Sequence, residues 1–405
     1  MTTLAWDVET LRAEFPILTS TSRGKPLVYL DSGATTQKPR AVIDAVTRFY
    51  ESGNANIHRG VYELSEQATL AWDAARHRVA QFLGGVPDEE IVFVRGTTSA
   101  VNLVAQSFIR PTLRVGDRVL VTTMEHHANI VPWQMVGATT VPVPITPSGE
   151  LDLAAAEQLL ATRPRLLAVV HVSNALGTIN PIAELCRMAR AHGVPVLVDG
   201  AQAVSHFPVD VRALGCDFYC FSGHKLFGPT GIGVLWARAE HLQRMPPAEG
   251  GGDMIDRVTF EQTTYAPSPQ KFEAGTPHIA GAIGLAAAIE WLESQDREAI
   301  HAHEMVLLEA GTALLREVPG LTLVGTAAEK VGILTFTMDG IHPHDIASLL
   351  DGEGVCIRAG HHCTQPLHAR LGLEATARAS LAPYNTLADI EALGAALHSA
   401  RRIFG

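Results

Sequence analysis

Phe218-Tyr219-Cys220-Phe221-Ser222-Gly223-His224-Lys225 is the stretch on which the reading of this chain turns. Its first four residues form a short apolar run, which reads as a buried strand. A turn of small residues follows and ends in a Lys. Upstream, Val194-Pro195-Val196-Leu197-Val198 reads as a second buried strand and stops at Asp199. An amine and a carboxylate thus sit at two strand ends. Taken alone, a Lys after a strand is an ordinary solvated residue, so the weight falls on its surroundings.

Those surroundings alternate. Strand-like apolar runs occupy residues 27–31, 91–94, 118–122, 166–172 and 232–236, with helical stretches between them. Near-continuous apolar strands separated by helices predict a mainly parallel sheet covered on both faces, an α/β fold. Sites in such sheets lie beyond the carboxyl ends of the strands. The polar clusters of this chain fall at those ends. A helix is expected over residues 65–83, with Leu70, Ala74, Val79 and Phe82 near one face and Gly84-Gly85 as its stop. Residues 246–277 are rich in Gly and Pro and read as loops. Long helices follow at 280–292 and 298–318. The rest reads as strands at 321–324, 332–338, 355–358 and 377–381, with helices at 343–350 and 386–402. Thr386 and Asp389 make a capping-box start for the last helix. This α+β pattern places a second domain from about residue 293.

Bulk composition narrows the function. The chain has 405 residues, 47% of them apolar and 18% charged, so it holds a large globular core. Its net charge is −11 and no basic run occurs, which argues against nucleic acid as a partner. No run of about 18 apolar residues is present to span a membrane. Residues 1–15 carry Asp7, Glu9 and Glu14 and lack the apolar core of a secretory signal. Five scattered Cys make no disulfide framework, and the expected setting is reducing and cytoplasmic.

The strand-end clusters carry the chemistry. Lys225 and Asp199 are the pair a pyridoxal phosphate site needs: the amine forms the Schiff base and the carboxylate holds the ring's pyridinium proton. Gln202, three residues on, could reach the ring oxygen. Gly96-Thr97-Thr98 lies between a strand and a helix, where N–H groups and hydroxyls suit a phosphate, though a plain N-cap explains it equally. In Glu125-His126-His127-Ala128-Asn129, an imidazole could stack on a flat cofactor or serve as a cap. Gly228-Pro229-Thr230-Gly231-Ile232-Gly233 precedes a strand and is no dinucleotide fingerprint. Cys363 stands in Arg358-Ala359-Gly360-His361-His362-Cys363, where an Arg and two His could lower a thiol's pKa. It is the best nucleophile candidate, with a bystander role open; Cys186, Cys216, Cys220 and Cys356 sit in apolar contexts and read as inert.

As a set these motifs resemble the pyridoxal-phosphate-dependent cysteine desulfurases, in the SUF-type or group II branch that includes selenocysteine lyases. The matching segments are Tyr29-Leu30-Asp31-Ser32, Asn56-Ile57-His58-Arg59-Gly60, residues 93–98, residues 125–134 (EHHANIVPWQ), Ser173-Asn174, residues 199–202, residues 222–231 (SGHKLFGPTG), residues 272–277 (FEAGTP), residues 358–363 (RAGHHC) and residues 378–385 (RASLAPYN). They span nearly the whole chain. Tyr62, Gly33 and Thr364 depart from the usual residues at their positions. The resemblance implies fold type I of these enzymes, with a mainly parallel seven-stranded sheet in a large domain at residues 26–292, a small domain built from both chain ends at residues 1–25 and 293–405, and a homodimer. It implies that Lys225 works at Cα as base and acid, that Asp199 pairs with the ring nitrogen, and that Gln202 and His126 contact the ring. It gives Thr97, Thr98, Ser222 and His224 to the phosphate, with Thr276 reaching in from a second copy. Asn174 and Arg378 would hold the substrate carboxylate, and His58 and Arg358 would line the pocket near the thiol. Cys363 would take sulfur from L-cysteine as a persulfide, release alanine and feed iron–sulfur cluster assembly through an acceptor protein.

A selenocysteine lyase or another fold-type-I enzyme, such as a transaminase, remains open on these motifs. So does a catalytically silent scaffold that binds a sulfur-transfer partner. The stretch His342-Pro343-His344-Asp345 reads as a helix start, with Pro in the first turn and Asp near the dipole. In the group II branch it also resembles members served by a zinc-binding, scaffold-like acceptor, and His344 would then contact that partner's zinc.

Overall fold

The computed structural model describes residues 7–404. A seven-stranded sheet forms its centre. From edge to edge the strands are Ile91–Val94, Gly233–Ala237, Phe218–Ser222, Val196–Asp199, Leu166–Val170, Arg118–Thr122 and Thr139–Val143. Gly233–Ala237 runs antiparallel to both neighbours and the other pairings are parallel. Strands 166–170 and 218–222 are buried along their whole length, as their unbroken apolar runs predict. The strand Thr139–Val143 was not expected. It is an edge strand with Pro142 inside it and only Val143 buried, so it lacks the apolar signature of the others.

A second, antiparallel sheet has the order Leu321–Val324, Ile333–Met338, Thr376–Ser380, Arg358–Gly360. Helices Arg297–Glu317, Pro343–Gly352 and Leu387–Phe404 pack with it around Leu307, Leu334, Phe336, Ile346, Leu393 and Leu397, a cluster distinct from the main core. The single strand expected at 355–358 is two. Val355–Cys356 pairs in parallel with Val28–Tyr29, and Arg358–Gly360 pairs with Thr376–Ser380. The chain changes partners at Ile357, and this break sends the next residues, the Cys363 loop, toward the seven-stranded sheet.

Two contacts tie the chain ends into the body. Phe15 packs edge-on against Tyr384, Trp291 and Phe227 at ring distances of 4.7, 5.2 and 6.1 Å. At the start of the last helix, Asp389 N–H donates to Thr386 Oγ1 (3.3 Å) and Thr386 N–H to Asp389 Oδ2 (3.1 Å), a reciprocal capping box. Arg12 donates to the same Asp389 oxygen at 3.2 Å.

The stretch 246–277 is not all loop: Ile255–Val258 and Thr263–Tyr265 form a largely exposed hairpin whose polar residues give no apolar pattern. The helix Glu63–Phe82 also differs from expectation on its inner face. Leu70 is 61% exposed, whereas Trp72, Ala75, Arg76 and Val79 are buried. Arg76 is tolerated there because it is fully paired. Its Nη1 and Nη2 donate to Glu273 Oε1 and Oε2, each at 2.8 Å, and Nη1 also donates to Ile91 O at 2.7 Å. Phe93 N–H donates to Glu273 Oε1 at 2.7 Å. The guanidinium lies 4.8 Å from the Phe93 ring centroid. Glu273 thereby pins the loop that carries Thr276 to the first strand of the central sheet. Glu273→Ala leaves a buried guanidinium unpaired and is expected to cost about 3–5 kcal/mol, read as a lower denaturant midpoint. An unchanged midpoint would contradict this account of the burial of Arg76.

Candidate active site

The loops at the carboxyl ends of strands 118–122, 166–170, 196–199 and 218–222 converge on one chamber of about 200 Å³. Lys225, Asp199, Gln202, His126 and Asn174 line it, with Thr97, Thr98, Ser222 and His224 at one end. Arg358, Cys363 and Arg378 close it from the second sheet.

Thr97 and Thr98 begin the helix Thr97–Val104, just after Gly96. Thr97 N–H donates to Ser222 Oγ at 2.9 Å, and the two hydroxyls lie 2.9 Å apart. N–H groups and hydroxyls at a helix start are suited to a phosphate. The cradle depends on close backbone approach, because a side chain on Gly233 would meet Gly96 Cα at 2.5 Å and Phe221 O at 2.6 Å. The next turn, Gly223–Lys225, is held through His224 O, which accepts from Thr36 N–H at 3.0 Å.

Burial governs the ionisable groups. The Lys225 amine is pushed down to about 8 by desolvation, against the opposing pull of Asp199. Asp199 is buried and shifted upward by the same cause, while its bond from Ala201 N–H (2.9 Å) and the Lys225 charge hold it down. His126 is pushed down to about 3 by burial, then by Lys225, so its ring is neutral. Its Nδ1 accepts from Ala128 N–H at 3.0 Å, which leaves the proton on Nε2. Gln202 Nε2 donates to Gly33 O at 2.6 Å. Arg378 is buried; it donates to Asn174 O (2.7 Å) and Asp31 Oδ1 (3.0 Å), and its Nε lies buried with no partner. Asn174 Oδ1 is likewise buried without a partner. Both residues line the chamber, and each keeps a buried polar atom unsatisfied at its wall.

Two predicted site residues lie elsewhere. His58 is exposed and does not line the chamber; its loop is tied down by His58 N–H donating to Thr69 Oγ1 at 2.9 Å and by Arg59 with Asp253 at 2.9 Å. Thr276 lines an adjoining open cavity of about 710 Å³ that shares Thr98 with the chamber. Sequence reasoning gave no role to Glu125, and it gave His127 and His362 only the general roles of a stacking or capping imidazole and of a neighbour to the Cys363 thiol. Glu125 is wholly buried and burial pushes it up to about 8. It accepts from Thr122 Oγ1, Asn129 Nδ2 and Val170 N–H at 2.7 to 2.8 Å, which staples the His126 turn to the strand beside Asp199. Its position in the Glu125-His126-His127 cluster was the only available signal.

No helix among the described residues is long and apolar enough to cross a membrane. The family model for aminotransferase class V matches residues 28–393. A cysteine desulfurase of Dickeya dadantii is 51% identical, over 99% of this chain and 98% of that protein. One of Synechococcus elongatus is 49% identical over 97% of this chain, and the chain spans 64% of that protein's length. Among solved structures, the cysteine desulfurase CsdA (S-sulfonic acid) of Escherichia coli superposes with a TM-score of 0.91 at 41% identity, covering 99% of this chain and 100% of that one. The apo cysteine desulfurase of Thermococcus onnurineus NA1 gives 0.91 at 37% identity, covering 96% and 97%. With this match over most of its length, and with an amine, a carboxylate and a thiol around one chamber, the chain belongs to the aminotransferase class-V family, among its cysteine desulfurases.

Proposed function

We infer that this protein is a cysteine desulfurase that converts L-cysteine to L-alanine, retains the sulfur as a persulfide on Cys363 and delivers it for iron–sulfur cluster assembly. One observation carries the reading: Lys225, Asp199 and Cys363, from three separate segments, wall the same chamber. The names of the relatives agree with it.

The chamber fits pyridoxal phosphate. A buried carboxylate and an amine with a depressed pKa face one space, beside a hydroxyl-rich helix start. When bound, that cofactor supplies an aldehyde for the amine and a ring that withdraws electrons from the substrate's Cα. Asp199 would hold the ring nitrogen's proton, Gln202 would take the ring oxygen, and neutral His126 would contact the ring. Thr97, Thr98, Ser222 and His224 would hold the phosphate. Arg378 and Asn174 take the substrate carboxylate. Lys225 removes the α-proton and later returns one, a role suited to an amine near neutrality. The Cys363 thiolate attacks the substrate sulfur. A sulfur–sulfur bond forms, the substrate's Cβ–Sγ bond breaks, and its electron pair stays on carbon, which takes up a proton to become alanine.

Several finer features belong to the same reading. Cys363 lies between the strand Arg358–Gly360 and the helix Gln365–Leu371, so its loop is short, which supports the SUF-type, group II branch. The large unit spans residues 26–292 and the small unit 1–25 and 293–405, a division supported by the separate apolar cluster around Phe336. A homodimer is supported by Thr276, which lies outside the chamber on an exposed position from which it would serve a second copy's site. Five free cysteines accord with a cytoplasmic setting. At the acceptor face, His342 Nδ1 accepts from His344 N–H at 3.2 Å and caps the helix Pro343–Gly352. That gives His342 a structural role and leaves the His344 side chain 77% exposed, free to ligate a zinc-binding acceptor.

The direct experiment is incubation with L-cysteine, followed by assays of alanine and of persulfide on Cys363. Cys363→Ala is expected to bind cofactor and exchange the substrate α-proton, yet to lose alanine formation by more than about a hundredfold. Turnover at the wild-type rate would remove Cys363 from the mechanism. A second expectation concerns pH. Only the neutral Lys225 amine attacks an aldehyde, and its pKa is near 8. The rate at which apo-protein takes up pyridoxal phosphate should therefore rise between pH 7 and 9, followed by visible absorbance; a flat profile would contradict the amine's assignment. His344→Ala should keep basal alanine formation and lose stimulation by a zinc-containing acceptor; full stimulation would leave this motif as a helix start alone.

A further inference from the structure

The Cys363 loop holds an unusual backbone. His362 and Cys363 both have left-handed φ values, 50° and 58°, which residues with a Cβ seldom adopt and almost never in succession. A turn within the loop holds them in part, because Thr364 N–H and the Thr364 hydroxyl both donate to His361 O at 2.8 Å across these two residues. Further hydrogen bonds reach the same residues from outside the loop. The carbonyl before Cys363, His362 O, accepts from Asn174 Nδ2 at 2.7 Å. The carbonyl after its Cα, Cys363 O, accepts from His127 N–H at 2.8 Å. His127 grips a second time, because its ring Nε2 accepts from Gln365 N–H at 3.0 Å. Both peptide planes flanking Cys363 are thus fixed from the seven-stranded sheet, by residues after strands 118–122 and 166–170, although the loop itself belongs to the other sheet.

We propose that His127 and Asn174 are positioning residues that clamp the Cys363 loop in its left-handed conformation, so that the thiol is held over the substrate's sulfur. The inference rests on Cys363 as the sulfur acceptor and adds what aims it. Asn174 has two amide hydrogens, and one is spent on His362 O. The other remains for the substrate carboxylate, so one amide couples substrate seating to the loop. The His127 contact adds a chemical condition. A ring nitrogen that accepts from an N–H is unprotonated, so the clamp is made by the neutral imidazole. Burial, and then the neighbouring His361, shift His127 downward and favour that form.

His127→Ala tests this without touching the 127 N–H, since only the ring contact to Gln365 is lost. In the holoenzyme, two rates are compared: exchange of the α-hydrogen of L-alanine in D2O, which needs Lys225 but no thiol, and alanine formed from L-cysteine in the first turnover, which needs Cys363. A misaimed nucleophile costs about tenfold to a hundredfold. The expected result is that loss in first-turnover alanine with α-hydrogen exchange retained, at unchanged cofactor absorbance. His127→Gln, whose amide oxygen can accept from Gln365 N–H in place of Nε2, should restore most of the rate. If both rates are unchanged in His127→Ala, the ring clamp aims nothing and the proposal falls. If both fall together, His127 serves the fold or the cofactor site, and the proposal also falls. Cys363→Ala in the same two assays separates the layers: sulfur release at the wild-type rate there would overturn the nucleophile, and the clamp with it.

Discussion

An amine and a carboxylate, both desolvated in the wall of one chamber, set the terms for everything else in this chain. Each alone would lose several kcal/mol of hydration on burial and would shift strongly toward its neutral form. Together they offset part of that cost: Asp199 raises Lys225 and Lys225 lowers Asp199, against the desolvation that acts on both. The sheet supplies the desolvation. Strands 196–199 and 218–222 are buried throughout and lie side by side, with Asp199 paired to Cys220. The two ionisable groups sit where these strands run out, between an apolar core and an open chamber. A site at the middle of either strand would have no access, and one on a helix surface would have no perturbation.

The second constraint is that the proposed nucleophile, Cys363, comes from the other sheet. The amine can be rigid because its turn grows out of a central strand. The thiol cannot, so it is tied across the gap by backbone hydrogen bonds from the sheet that carries the amine. Arg378 serves the same joint. It lies on strand 376–380 of the second sheet, reaches Asn174 O after strand 166–170, and pairs with Asp31. Glycines make the joint compact. Gly33 leaves room for Ser380, whose Oγ accepts Gly33 N–H at 2.8 Å, and a side chain there would meet the Arg378 guanidinium at 3.2 Å.

What sequence could show follows from which signals are local. Strands 91–94 and 118–122 have the expected bounds, because three or four apolar residues in a row need no partner to be read. Asp199 and Lys225 were legible as polar residues closing such runs. Strand 139–143 was not, because an edge strand may carry Pro and Thr. The inner face of helix 63–82 was misjudged for a different reason. Arg76 faces inward only because Glu273, 197 residues away, pairs with it, and no local period reports so distant a partner. Glu125 and the hold of His127 on the Cys363 loop were missed likewise: their partners, Val170 N–H and the 363–365 backbone, become neighbours only in the fold.

The five cysteines show how the structure assigns reactivity. Cys216 and Cys220 are buried in the core and their thiols are pushed well above the ordinary value, while burial pushes Cys186 up to about 12. Cys356 is half-buried and shifted the same way. A thiol raised by burial stays protonated and is a poor nucleophile. Cys363 alone among them is exposed. Under the proposed mechanism, the arrangement separates two needs that conflict. Proton removal at Cα calls for a dry, electrostatically shaped chamber, and Lys225 with Asp199 sits in its wall. Passing sulfur to another protein calls for a group that the other protein can touch. A cysteine at the chamber's edge, reached from the small sheet and tied to the large one, meets both. The left-handed backbone at Cys363 is the geometric cost of standing at that boundary.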